Sequence, residues 1–214
     1  MKSLVDYLNE NKEENKEINF DDLDFTPIEN IDELEEIIEN SEKDNKDIKK
    51  DNKQGFWSKL FKRNNNGNKK GFWLFKEAID KGDEYRNIGG EPWGIQYTSV
   101  SYNNKIVGLI SYSLTYKSDL YENNEKTNVP ENGNFIRIID IQTLPGYSGF
   151  LKFYFQYIKK VGKDNEKKYI TLQTYQESLI GLYSKYGFKL YNNRYREMFV
   201  NIDYLKFPTA DKKE

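Results

Sequence analysis

"FIRIIDIQTLPGYSGFLKFYFQYIKK", residues 135–160, decides the fold. Its first nine residues are apolar on both faces, as a strand in the middle of a covered sheet would be. From Phe150 the period becomes helical: Phe150, Tyr154, Tyr157, Ile158 and Val161 fall on one side, Lys152, Gln156, Lys159 and Lys163 opposite. Between the two lies a turn that holds Gly146 and Gly149. A helix that starts from such a turn presents unpaired amides and the positive end of its dipole, which together favour a polyanion.

The flanking segments extend this unit. "IQYTSVSY" and "KIVGLISYSLTY" alternate like strands and are joined by Asn103 and Asn104, a two-residue connection suited to a tight hairpin. On the second strand Ile106, Ile110, Tyr112, Leu114 and Tyr116 share one face, so half-burial is expected. "GFWLFKEAIDKGDEYRNI", from Gly71, has a helical period. After residue 160 come a strand in "KKYITLQTY", a helix in "QESLIGLYSKYGF" ending at Gly187, and a last strand in "REMFVNI". The order helix, hairpin, central strand, helix, strand, helix, strand predicts an α/β fold of the α+β mixed-sheet kind. We expect six to seven strands with helices on both faces.

Of the 214 residues, 36% are hydrophobic, but 17 Tyr, 13 Phe and 3 Trp bring enough area for a core if they are concentrated in one domain. Neither Cys nor His occurs. Disulfides, thiolate nucleophiles, imidazole triads and Cys/His zinc sites are therefore excluded, no metal is expected, and any general base must be Asp, Glu, Tyr, Lys or a relayed water. Residues 1–50 carry 7 Lys against 17 Asp and Glu with scattered aliphatics, and the stretch 1–54 reads as an acidic, largely disordered tail. Within it, Leu34, Ile37 and Ile38 could form one side of a transient helix. Residues 55–70 form a basic aromatic linker. There Phe56, Trp57, Leu60 and Phe61 make either a short helix packed on the domain or, through 55–63, a peripheral membrane contact. The globular domain is expected at 71–207, with 208–214 as a disordered end. Nucleic acid is not expected as a partner, because the basic stripe is short and follows an acidic stretch. The N-terminus lacks an apolar run of signal-peptide length, so the cytoplasm is the expected location.

"QESLIGLYSKYGFKLY", residues 176–191, resembles a motif of the GNAT superfamily of N-acetyltransferases, and the resemblance extends over roughly 71–202. Leu182, Tyr183, Gly187 and Phe188 match; Gln176 stands where that family usually has Asn, and Leu179 where it has a small residue. Pro145 and Tyr147 match a second family motif, which follows the central strand. The resemblance implies a GNAT-like fold and acyl transfer from acetyl-CoA as co-substrate to an amine acceptor, a small molecule or a protein. It also implies that the central strand and the next one splay apart and that the turn near Gly149 takes the pyrophosphate. Cofactor contacts are then expected from Gln142, Leu144, Tyr147, Ser148, Gly149, Phe150, Leu151 and Gln176. Aligned without a gap from Tyr147, Leu151 and Phe153 occupy two places where the family has glycine. The alternative is a GNAT-like fold that no longer binds CoA and serves as a protein-interaction module.

Two residues are candidates for catalysis. Tyr183 matches the family's helix tyrosine that protonates the leaving sulfur; otherwise it packs its helix on the sheet. Asp140, set among isoleucines in "IRIIDIQ", is the candidate base, a partner for Arg137 or another cation, or a structural hydrogen-bond acceptor. Backbone amides near Gln142 to Leu144 would polarise the acyl carbonyl. Gln176 would bond pantetheine amides or cap its own helix.

Overall fold

A computed structural model describes residues 18–44, 72, 94–118, 129–144, 147, 149–174 and 176–208. Seven strands form one sheet in the order β1-β2-β3-β4-β5-β7-β6. They are β1 (Leu23–Ile28), β2 (Ile95–Tyr102), β3 (Lys105–Ser113), β4 (Phe135–Thr143), β5 (Tyr169–Gln173), β6 (Lys189–Asn192) and β7 (Glu197–Asn201). Only β4 and β5 pair in parallel; every other neighbouring pair is antiparallel. Three α-helices are described: α1 (Ile31–Asp44), α2 (Leu151–Asp164) and α3 (Glu177–Lys185). The architecture is the mixed sheet with helices on both faces expected from the sequence.

The acidic N-terminal stretch is not all tail. β1 adds to the edge of the sheet, pairing from Leu23↔Tyr102 to Ile28↔Tyr97. α1 is started by Asn30, whose Oδ1 accepts from the Glu33 amide at 2.8 Å, while Glu33 Oε2 accepts from the Glu29 amide at 3.2 Å. Leu34 and Ile38, 0% and 3% exposed, then pack with Ile28, Leu109 and Phe72. The expected disorder fails over 19–44 because a few well-spaced aliphatics dock on an existing sheet, whereas average composition weighs only their scarcity. The linker 55–70, the helix expected from Gly71 (apart from Phe72) and the C-terminus from 209 lie outside the described residues, as does 119–128 of the loop after β3.

Asn103 and Asn104 turn the β2–β3 hairpin with φ of 51° and 60°, as a two-residue primed turn requires. β3 departs from the expected half-burial: residues 107–113 are all buried. α1 and Phe72 cover Leu109 on one face, while Val107, Ile110 and Tyr112 join the main core under α2 on the other. α2 buries more than the stripe its period suggested. Besides Phe150, Tyr154 and Ile158, it buries Phe153 and Phe155. The Phe155 ring lies 4.8 Å from that of Tyr186 and 5.1 Å from that of Phe188, so α2 packs on the segment ending α3 as well as on the sheet. Gly187, with φ of +93°, ends α3 where the sequence places the stop.

Gly108 marks the closest approach of helix and sheet. Its missing side chain leaves room for the Tyr154 hydroxyl, which lies 3.1 Å from Thr143 Oγ1 and donates to Gln142 O at 3.2 Å. α2 is thus latched to the last residues of β4. Gly108→Ala should lower unfolding free energy in denaturant titration by about 1–3 kcal/mol, the usual cost of overpacking. Adding Tyr154→Phe should make the pair clearly sub-additive; full additivity would mean that the two do not meet.

Candidate functional site

The site is built by a loss of pairing. β4 and β5 are in register from Phe135↔Tyr169 to Ile138↔Leu172, and there the pairing ends. β4 continues along β3 alone to Thr143, while β5 continues along β7. At the parting point β4 also carries a bulge: Ser111 opposes Asp140, yet Tyr112 opposes Ile138, leaving Ile139 as the extra residue. The bulge redirects Asp140, whose amide donates to Ser111 Oγ at 3.1 Å.

The register decides which amides are free. The Leu144 amide donates to Val107 O at 2.8 Å, and the Asp140 amide also turns toward β3. By strand alternation Gln142 turns the same way, so Ile141 and Thr143 direct their N–H groups to the side that β5 has left. The expected donors near Gln142 to Leu144 are thereby narrowed: Leu144 is taken up by the ladder, and Ile141 and Thr143 face the cleft. Sequence alone could not separate them, because the bulge sets the phase.

Asp140 and Tyr183 come together in this region. Burial raises the Asp140 carboxyl to about 6. Burial, and then the Asp140 charge, raise the Tyr183 phenol to about 12. Both residues are largely buried but keep some access to solvent. Arg137 does not partner Asp140, as one reading of the sequence allowed. Its Nη1 forms a buried ion pair with Glu197 Oε1, from β4 to β7 across β5. Glu197 lacks any local sequence signal, since the pairing exists only once the strand order is fixed.

At the head of α2, Gly149 adopts φ of +85°, and a Cβ built there would meet no atom within 4 Å. Phe153 and Tyr154 donate their amides to Phe150 O at 2.9 and 3.2 Å. The Leu151 and Lys152 amides have no backbone partner among the described residues, as expected for a first helical turn. Phe153 does not overhang the turn; it is 4% exposed in the main core, and Leu151 packs partly against the same core. Tyr147 holds the turn down, its ring 6.5 Å from Tyr102 and 5.7 Å from Phe150. Ser148 lies outside the described residues. Gln176 occupies the N-cap of α3, but its side chain makes no cap bond; Thr174 Oγ1 accepts from its amide at 3.3 Å instead. The side chain of the half-buried Gln176 therefore does not cap α3.

No helix among the described residues is long and apolar enough to cross a membrane. No protein-family model matches the chain, and no curated protein sequence matches it. Solved structures do. A spermidine N-acetyltransferase from Vibrio cholerae is 12% identical, with 86% of this chain and 97% of that one covered and a TM-score of 0.45. An N-acetyltransferase from Thermoplasma acidophilum in complex with coenzyme A is 14% identical, with coverage of 84% and 98% and a TM-score of 0.44. A GNAT-family acetyltransferase from Staphylococcus aureus is 16% identical, with coverage of 84% and 99% and a TM-score of 0.45.

Proposed function

We propose that the protein is an acyl-CoA-dependent N-acyltransferase that moves an acetyl group from acetyl-CoA to an amine by direct attack in a ternary complex. The observation that carries this reading is the parting of β4 from β5 beside Asp140 and Tyr183. The residues fit the co-substrate: an open Gly149 and the positive end of the α2 dipole suit a diphosphate, and the one-sided edge of β4 suits the amides of a pantetheine arm. Bound there, acetyl-CoA would supply an activated thioester carbonyl.

The chain's own groups then divide the proton work. The Ile141 and Thr143 amides point toward a developing oxyanion and need no reorganisation to stabilise it. Asp140, at about 6, is largely ionised near pH 7.5 and takes the proton of the attacking amine, directly or through water. Tyr183, at about 12, keeps its proton until the sulfur leaves and then donates it from its hydroxyl. The two events are coupled. Once Asp140 is protonated, the charge that holds the Tyr183 proton is gone, so the phenol becomes a stronger acid as the carbon–sulfur bond breaks.

Three outcomes follow. Acetyl-CoA should raise the melting temperature of the purified protein; no shift at millimolar concentration would favour the CoA-free interaction module. Tyr183→Phe should lower kcat by about 10²-fold or more while leaving that shift in place, and unchanged turnover would remove Tyr183 from the mechanism. In the native state Asp140 binds its proton more tightly than in the unfolded chain, so its own contribution to stability is greatest below the unfolded value of 3.8 and is lost as pH rises through about 6. Asp140→Asn should therefore stabilise the fold at pH 7.5, by up to about 3 kcal/mol, abolish the rise of kcat/KM with pH near 6 and lower kcat. Loss of stability together with retained turnover would contradict both roles assigned to the carboxylate.

A further inference from the structure

Tyr154 reaches from α2 to a single peptide of β4. Its hydroxyl donates to Gln142 O at 3.2 Å and lies 3.1 Å from Thr143 Oγ1. A carbonyl can only accept, so the one phenolic proton goes to Gln142, and the Thr143 hydroxyl donates to the Tyr154 oxygen. Tyr154 is 1% exposed, and burial raises its phenol, so that proton is held throughout the working pH range. Gly108, opposite Thr143 on β3, leaves the space that the hydroxyl fills.

The bonded carbonyl matters because of what shares its peptide. Gln142 C=O and Thr143 N–H belong to one planar trans unit and point in opposite directions. Leu144 donates to Val107 O, so Gln142 and Leu109, two residues along, form the next hydrogen-bonded pair. Gln142 O therefore faces β3 and accepts from the ladder as well as from Tyr154, while Thr143 N–H faces the side that β5 has left. Two donors on one carbonyl polarise the whole amide, which makes its N–H a stronger donor. They also fix the plane of the peptide. Ile141 has no such support, since among the described residues no side chain donates to the Asp140 carbonyl that shares its peptide.

We propose that Tyr154 is a positioning residue for acetyl transfer, acting through the Gln142–Thr143 peptide, and that Thr143 N–H is thereby the stronger of the two amides offered to the oxyanion. The proposal rests on the acyltransferase reading. As the amine attacks, negative charge grows on the thioester oxygen. The Thr143 amide bonds that oxygen, and the hydrogen bonds running from the Thr143 hydroxyl through Tyr154 to Gln142 O tighten with it. No proton changes owner along this chain. The ground-state carbonyl carries little charge, so the benefit falls on kcat and not on acetyl-CoA binding.

The test compares the full chain with three variants. Tyr154→Phe keeps the ring and removes the hydroxyl, Gly108→Ala displaces the hydroxyl from the sheet side, and Ile158→Val thins the same buried face of α2 one turn further along. Turnover is read as CoA released from acetyl-CoA with a panel of primary amines, by a thiol reagent that meets no cysteine in the chain. Tyr154→Phe and Gly108→Ala should each lower kcat about tenfold with KM for acetyl-CoA little changed, and the two together no further. Ile158→Val should lose stability and keep kcat. In proton–nitrogen correlation spectra of the ligand-free chain, the Thr143 amide proton should move upfield in Tyr154→Phe and that of Ile141 much less. Unchanged kcat in Tyr154→Phe, an equal loss in Ile158→Val, or Thr143 and Ile141 moving together each overturns the proposal and leaves the acyltransferase reading in place. Where no amine of the panel is used, the amide comparison decides alone. If acetyl-CoA gives neither a melting shift nor CoA release with the unaltered chain, the acyltransferase reading falls and takes this proposal with it.

Discussion

From Ile139 onward, β4 has a strand partner on one side only. Backbone amides and carbonyls in the middle of a protein are normally paired, because leaving them dry and unbonded is costly. A sheet that abandons its own ladder near its centre must therefore admit either water or a ligand able to bond a strand edge. The bulge at Ile139 starts the departure and turns Asp140, and strand alternation then directs the Ile141 and Thr143 amides into the space. The rest of the site is arranged around that edge. Gly149 opens the turn at its far end, and α3 brings Tyr183 up to Asp140.

An open seam in a sheet needs bracing, and the chain supplies it on both faces. On the helical face, Tyr154 latches α2 to Gln142 and Thr143 through the space left by Gly108. Phe155 ties α2 to the end of α3 through Tyr186 and Phe188. On the other face, the Arg137–Glu197 pair spans β5 immediately before the strands separate. Such a pair adds little net stability over an apolar one, yet losing one partner costs several kcal/mol because the other charge stays buried. Its value here is geometric, since it fixes how far β4 and β7 stand apart.

Much of this architecture was legible in the residues. Period 2 gave the hairpin, period 3.6 gave α2 and α3, and Asn103-Asn104 and Gly187 marked their ends. Residues 19–44 of the acidic N-terminal segment were misjudged because composition averages over 1–54, while docking depends on a few positions such as Leu34 and Ile38. Phe153 looked like an obstacle because an ungapped alignment places it at the turn; one further helical position carries its side chain into the core instead. Asp140 could be singled out by its apolar setting and Tyr183 by the family motif it matches, but their proximity could not. The Ile141 and Thr143 amides and Glu197 were out of reach, because a bulge phase and a strand order are properties of the assembled sheet.

Amide hydrogen exchange at single-residue resolution, with and without acetyl-CoA, tests the free edge of β4 most directly. In the ligand-free protein, Ile141 and Thr143 should exchange faster than their ladder-bonded neighbours Gln142 and Leu144, and saturating acetyl-CoA should slow them together with Leu151. Slow exchange at Ile141 and Thr143 in the free protein, or no change at all three amides when acetyl-CoA is present, would contradict the account.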